Sequence, residues 1–428
     1  MRFRRFLAAA LVSGIVLSFA KAAEPPIPLR FEMQELDPHV GQVCYALTVA
    51  DVNGDKKPDL VALTENAVVW FANPSWKKAD IIRDRTEKDN VCIQPHDIDG
   101  DGRVDFAVGA AWRPADTKGG GSLQWLRQPE KSGDAWTVHP LGNEPTMHRI
   151  RFGDVLGTGK PQLITAPLQG RGTRGPKWAE GQGVRIQVHS VPEKPAEQAW
   201  PAVTAEDALH TTHNMQIVDF DGDGGQDILL CAWEGVFVLK YDKSTGRFSR
   251  TKIGTGNQKA VPFKGASEIR MGRLKDGRRY VATIEPWHGF QVVVYAEPGK
   301  PAAAAVPEPS HVADEPTEPG LWSRRVIAQP VAWGHALWTA DMDGDGDDEL
   351  VVGQRDKNKD AVPGGPGVYL FDPVSSPEAL TFHRQIVDDG GVAVEDALVA
   401  DFDGDGRPDI AAGGRATHNV RIYWNRGR

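Results

Sequence analysis

Two stretches decide the fold: Asp97-Ile98-Asp99-Gly100-Asp101-Gly102-Arg103-Val104-Asp105 and Asp401-Phe402-Asp403-Gly404-Asp405-Gly406-Arg407-Pro408-Asp409. Acidic side chains fall at positions 1, 3, 5 and 9 of each, and glycine at 4 and 6. Carboxylates at alternate positions of a tight loop converge on one point, where they repel unless a hard cation binds them through oxygen. Ca²⁺ is the usual occupant of such a loop. Glycine supplies the backbone angles that the turn demands. Further copies use Asp51, Asn53, Asp55 and Asp59; Asp219, Asp221, Asp223 and Asp227; and Asp341, Asp343, Asp345 and Glu349. A copy at Asp154 keeps the turn without the later carboxylates, and Gly272 to Tyr280 keeps only the shape. The starts recur every 46 to 68 residues. A period of that size marks a repeat architecture.

Each loop lies between short runs rich in β-branched residues. In the fourth repeat these are Met215 to Val218 before it and Ile228 to Leu230 after it, then Val236 to Leu239 and Phe248 to Thr251. Four strands per repeat, with no helical periodicity, describe a propeller blade. The last repeat has three strands before the chain stops at Arg428, and one unassigned run, Leu29 to Leu36, precedes the first repeat. That run can complete the last blade and leave no open sheet edge. The sequence therefore predicts an all-β, seven-bladed β-propeller over residues 23–428, closed by its N-terminal strand.

Residues 1–22 read as a signal peptide. Arg2, Arg4 and Arg5 precede an apolar run from Phe6 to Ala20, and Ala20-Lys21-Ala22 is a small-x-small cleavage site. The expected location is secreted or periplasmic. No later stretch is long and apolar enough to span a bilayer. Loss of Arg2, Arg4, Arg5 and Lys21 moves the net charge from −9 to −13, and with no basic stripe nucleic acid is not an expected partner. Cys44, Cys92 and Cys231 are too few for a disulfide scaffold. A Cys44–Cys92 bridge and buried free thiols both fit the spacing. A Pro/Ala-rich insertion at 297–320 is expected to be disordered. Leu168 to Gly183, glycine-rich and cationic, joins the second and third strands of blade three.

These Asp-x-Asp-Gly-Asp-Gly loops followed by apolar strands resemble the FG-GAP/VCBS-repeat β-propellers. The resemblance runs from about Leu29 to Arg428 and implies structural calcium. It does not name an activity, so function must be read from the opposite face.

That face is built from the segments before first strands and from second-to-third-strand loops. Six residues before the first loop aspartate stand His148, His213, His335 and Glu395 in blades three, four, six and seven. Blade five offers Ser267 or Glu268, and blade one Tyr45. At about 3.3 Å per residue this ring lies roughly 20 Å from the calcium loops. Neutral imidazoles and a carboxylate suit Zn²⁺ or another divalent transition metal rather than Ca²⁺. Sugar-handling residues stand in the same loops: Arg171, Arg174, Lys177, Trp178, Trp233, Trp287 and Arg355. Trp112, Arg113, Glu234 and Arg415 stand beside them.

The propeller also resembles that of the fungal aldos-2-ulose dehydratases, and in layout that of rhamnogalacturonan lyases. The resemblance implies a metal-dependent carbon–oxygen lyase acting on keto-sugars or uronides, with His288 and Tyr45 as candidate bases. A non-catalytic glycan-binding or adhesion propeller is the alternative reading, and a protein-partner scaffold a third.

Overall fold

A computed structural model describes residues 27–260, 263–297, 319–358, 364–375 and 380–428. The expected signal peptide and nearly all of the 297–320 insertion lie outside the described residues. Twenty-eight strands form seven four-stranded antiparallel sheets.

The N-terminal strand β1 (Phe31–Asp37) belongs to the last sheet. Blade one is β2 (Cys44–Ala50), β3 (Asp59–Thr64), β4 (Ala67–Ala72) and β5 (Lys77–Arg83). Blade two is β6 (Cys92–His96), β7 (Asp105–Ala110), β8 (Ser122–Arg127) and β9 (Thr137–Asn143). Blade three is β10 (Met147–Gly153), β11 (Gln162–Pro167), β12 (Ile186–Ser190) and β13 (Ala202–Glu206). Blade four is β14 (Met215–Val218), β15 (Asp227–Ala232), β16 (Gly235–Asp242) and β17 (Arg247–Gly254). Blade five is β18 (Ile269–Arg273), β19 (Arg279–Glu285), β20 (Gln291–Ala296) and β21 (Ser323–Ala328). Blade six is β22 (Gly334–Ala340), β23 (Glu349–Gln354), β24 (Gly367–Ser375) and β25 (Leu380–Asp389). Blade seven is β26 (Val394–Ala400), β27 (Asp409–Gly414), β28 (Val420–Asn425) and then β1.

Why these runs make a ring is visible in their burial. Second strands such as β7, β15 and β27 are buried along their whole length, because both faces pack against neighbouring sheets. Outermost strands such as β5 and β17 are exposed over most of their length and buried only towards their C-terminal ends. Seven apolar clusters result, each dominated by two adjacent blades. One joins Leu60, Val69 and Phe71 of blade one to Ala411, Ile422 and Trp424 of blade seven. The contact is close: a Cβ on Gly413 would stand 2.5 Å from Cys44 Sγ. Cys44 and Cys92 are buried free thiols, so of the two arrangements their spacing allowed, the bridge is not formed.

Closure follows the expected strand, shifted slightly. Phe31 pairs with Asn425 and Met33 with Tyr423. Leu29, just before β1, is buried among blade-six and blade-seven residues and exchanges hydrogen bonds with Gln385. No helix among the described residues is long and apolar enough to cross a membrane.

The acidic loops connect first to second strands, all on one face. Gly100 and Gly102 take φ of 74° and 86°, as the turn requires. In each of the five acid-rich copies the position-9 carboxylate accepts a hydrogen bond from the position-2 amide, as Asp59 does from Val52 and Asp409 from Phe402. Burial pushes Asp105, Asp227 and Asp409 up to about 6. Side-chain cations reach the outer carboxylates: Lys240 touches Asp221 and Asp223, and Arg127 lies 2.5 Å from Asp99.

Candidate metal centre at the channel mouth

First strands of all seven blades line a central channel, and its mouth opposite the acidic loops gathers histidines. His148 is the second residue of β10, His335 the second of β22, and His213 stands two residues before the start of β14. His288 arrives from elsewhere: the loop between β19 and β20 turns it inward with φ of +50°. Histidine enters this region of backbone space more readily than most side chains.

Ligand nitrogens of His213, His288 and His335 all lie within 4.8 Å of one another. His213 Nε2 is 2.6 Å from His288 Nε2. Ring centroids are 4.3 Å apart for His213–His288, 5.1 Å for His213–His335 and 5.0 Å for His288–His335. His148 packs on His213 at 4.5 Å.

The outward nitrogens are anchored. His335 Nδ1 lies 2.6 Å from the Glu395 carbonyl oxygen, so it carries the proton and leaves Nε2 free. His213 Nδ1 sits 2.7 Å from Glu268 Oε1, although the angle is not that of a hydrogen bond. Backing of this kind fixes the ring and tautomer of a metal-binding histidine. His148 is turned differently. Its Nδ1 donates to the His213 carbonyl at 3.0 Å, and its Nε2 meets Arg149 Nη1 at 3.1 Å.

Electrostatics favour neutral rings. Burial brings His213 down to about 4, and holds His288 well below the ordinary imidazole range with help from His213. Burial pushes Glu268 up, but His213 and Arg149 outweigh it and hold the carboxyl below its usual value. Neutral imidazole is the form that binds metal. Two buried polar atoms around this mouth lack hydrogen-bond partners: Trp287 Nε1 and Glu395 Oε2. Orphaned atoms are uncommon in native interiors and point to a missing occupant. The residues therefore fit a divalent metal ion.

The rim is aromatic. Trp287 stacks on His288 at 4.2 Å, and Trp333 stands edge-on to it at 5.2 Å. Arg355 lies over Trp333 at 4.6 Å, with its Nη1 3.8 Å from Glu395 Oε2. Glu395 also accepts from Arg415 Nη1 at 2.6 Å.

Of the expected site residues, His213, His335, His288, Trp287 and Arg355 come together here, with His148 and Glu395 against them. The others are spent elsewhere. Arg171 pairs with Glu144, Lys177 with Glu180, and Trp178 folds back on Gly175 of its own loop. Arg174 is exposed, and Trp233 is half-buried beside the His210–Glu234 pair. Tyr45 has Asp89 and Arg415 as its polar neighbours, and burial pushes its phenol up to about 12.

Sequence reasoning missed Trp333 and left Glu268 undecided. Trp333 stands two residues before His335, so the histidine register could have found it. The choice between Ser267 and Glu268 falls on Glu268, because Ser267 bonds the Ile284 carbonyl.

Residues 51–108 match a model of the FG-GAP-like repeat, and residues 120–298 match a model of the aldos-2-ulose dehydratase β-propeller domain. The second span contains His148, His213 and His288. The aldos-2-ulose dehydratase of Phanerodontia chrysosporium is 29% identical over 249 residues, covering 54% of this chain. This chain spans 25% of that relative's length. A solved Agrocybe aegerita lectin that recognises non-reducing terminal N-acetylglucosamine aligns at 15% identity and a TM-score of 0.49, covering 86% of this chain and 88% of its own. A chain of the mitotic checkpoint complex aligns at 10% identity and 0.51, covering 96% and 99%. The fold is a seven-bladed β-propeller, and the chain is similar to the FG-GAP-like repeat over one span and to the propeller of aldos-2-ulose dehydratase over another.

Proposed function

We propose that the channel mouth is the site of a metal-dependent carbon–oxygen lyase, a dehydratase acting on keto-sugars. The observation that carries this reading is the cluster of His213, His288 and His335, whose ligand nitrogens lie within 4.8 Å of one another, with His335 anchored through Nδ1. The similarity of residues 120–298 to a dehydratase propeller domain supports the reaction class.

His213, His288 and His335 would hold a divalent transition metal, with Glu268 behind His213. When bound, the ion supplies Lewis acidity that makes the carbon beside a ketone a stronger acid. Trp333 and Trp287 offer aromatic surface to the sugar C–H face, and Arg355 a fork for its hydroxyls. Burial pushes Glu395 up, but His335, Arg415 and Arg355 hold it below the usual carboxyl range, so it is ionised at neutral pH. Its unpartnered Oε2 is the proton acceptor this reading assigns. The proton taken from carbon is returned to the departing β-hydroxyl, so one water leaves and the carboxylate is regenerated.

The test is metal content and turnover together. Purified full-length chain should carry about one Zn, Fe or Mn beyond its calcium and release water from a 2-keto-sugar. Calcium alone with sugar binding and no turnover would replace this reading with the glycan-binding one, which the exposed Trp333–Arg355 stack would equally serve. Trp333→Gly probes the rim. Glycine tolerates the +53° φ of this position, so folding should be preserved. Losing an aromatic face worth about 1 kcal/mol should raise KM roughly fivefold with kcat little changed. An unaltered KM would remove Trp333 from the site.

Calcium at the five acidic loops belongs to the same reading, as a structural ion on the far face. Binding to the folded state alone stabilises by mass action. A chelator should lower Tm by ~5 °C or more. Asp221→Ala should lower Tm in calcium but not in chelator, because its exposed pair with Lys240 contributes little by itself. Equal melting with and without calcium would exclude the structural ion. Export through residues 1–22 remains part of this proposal.

A further inference from the structure

Below the histidines the channel widens into a cavity of about 500 Å³, lined by first-strand residues of all seven blades. Its polar lining is cationic. Arg149, Arg151 and Arg270 all face it, with Gln94, Gln216 and Asp396. Arg151 is three residues past His148, and Arg270 two past Glu268, which places them about 7–10 Å further down the channel.

These guanidiniums lack acids of their own. Arg151 bonds the Ile150 carbonyl and the Asn214 side-chain oxygen. Arg270, only 8% exposed, bonds the Ile269 carbonyl and lies over Trp338 at 4.8 Å. Neither has an ion-pair partner among the described residues. Arg149 Nη1 bonds the His148 carbonyl and meets the His148 ring, and its carboxylate contact is distant, Nη2 to Glu268 Oε1 at 3.9 Å. Two acids face the group. Glu268 is engaged with His213 and Asn214. Asp396 spends its oxygens on the Leu47 and Ala397 amides, and burial holds its carboxyl above the usual range. Arginine stays charged in proteins, so burial cannot be relieved by losing a proton. Mutual repulsion shows in Arg151, brought down to about 10 by burial and by Arg270 and Arg149. Buried charges are ordinarily paired.

We propose that this cavity is a binding site for a small oxyanion, either phosphate-like or carboxylate, separate from the channel-mouth centre. Three forks converging on one enclosed space suit an acceptor-only group with several oxygens. The inference does not depend on the lyase reading.

The experiment uses full-length protein titrated with sodium phosphate and, separately, sodium acetate, at ionic strength held constant with sodium chloride. Either anion should raise Tm saturably, and the stronger response identifies which anion class the cavity takes. Arg270→Gln and Arg151→Gln should each weaken that binding at least ~10-fold, the usual cost of a charged hydrogen bond. His213→Ala should leave it intact, which separates the cavity from the metal centre. A wild-type Tm unmoved by either anion would overturn the proposal. So would a response that survives Arg270→Gln, or one that His213→Ala abolishes. Should Arg151→Gln fail to fold, Arg270→Gln decides alone.

Discussion

His213→Ala is expected to strip the transition metal from the chain and reduce keto-sugar turnover at least ~100-fold. Mutating an outer partner of a metal ligand already costs about 10–100-fold in affinity or activity. His213 is more central than that. Its ring is 1% exposed and meets His148, His288 and His335 at once. Removing it leaves two histidines, too few for a stable site of the usual three-ligand kind. The same change also leaves the buried Glu268 carboxylate without its histidine neighbour, which costs stability. His288→Ala separates the two effects. His288 sits half-buried on a loop with no carboxylate behind it among the described contacts, so that variant should keep its Tm while losing the metal. Metal retained at wild-type stoichiometry in both variants, or absent from wild type, would sink the lyase proposal.

Deleting residues 27–40 should leave the protein insoluble, or melting at least ~5 °C lower. The deletion removes β1 and with it the ladder from Phe31–Asn425 to Asp37–Val420. It also removes buried Leu29, worth about 1.5–3 kcal/mol, and Val40 from the blade one–seven core. The Arg421–Glu35 pair and the Trp424–Gln34 hydrogen bond go too. What remains is an open edge on β28, a template for pairing with other chains. Restoring the strand at the C-terminus after Arg428 should recover solubility if ring closure is the cause. A truncated chain with wild-type Tm would show that blade seven stands on three strands.

The fold was legible because its code is local. Asp97 to Asp105 specifies a turn within nine residues, and the apolar runs on each side specify two strands. Repetition then supplies the blade count, and the unpaired run at Leu29 the closure. The acidic clusters were readable for the same reason, since all their side chains lie within one short loop. The first-strand register found His148, His213 and His335, because equivalent positions in a repeat protein reach the same level of the channel.

Tertiary structure decided which of those residues share a point. His288 lies outside the register and enters through one left-handed loop residue after β19. Its 2.6 Å approach to His213 depends on the radius at which seven blades close. Tyr45 holds the same register position but is turned to Asp89 and Arg415. Arg171, a plausible substrate fork by composition, is consumed by Glu144, 27 residues away. The three channel arginines were invisible for the converse reason. Arg149 and Arg151 stand on β10 and Arg270 on β18, two blades away, and only the closed ring brings their charges together without acids to match. Local spacing fixes turns and strand faces. Convergence of side chains from different blades is set by packing between sheets, and no window of sequence contains it.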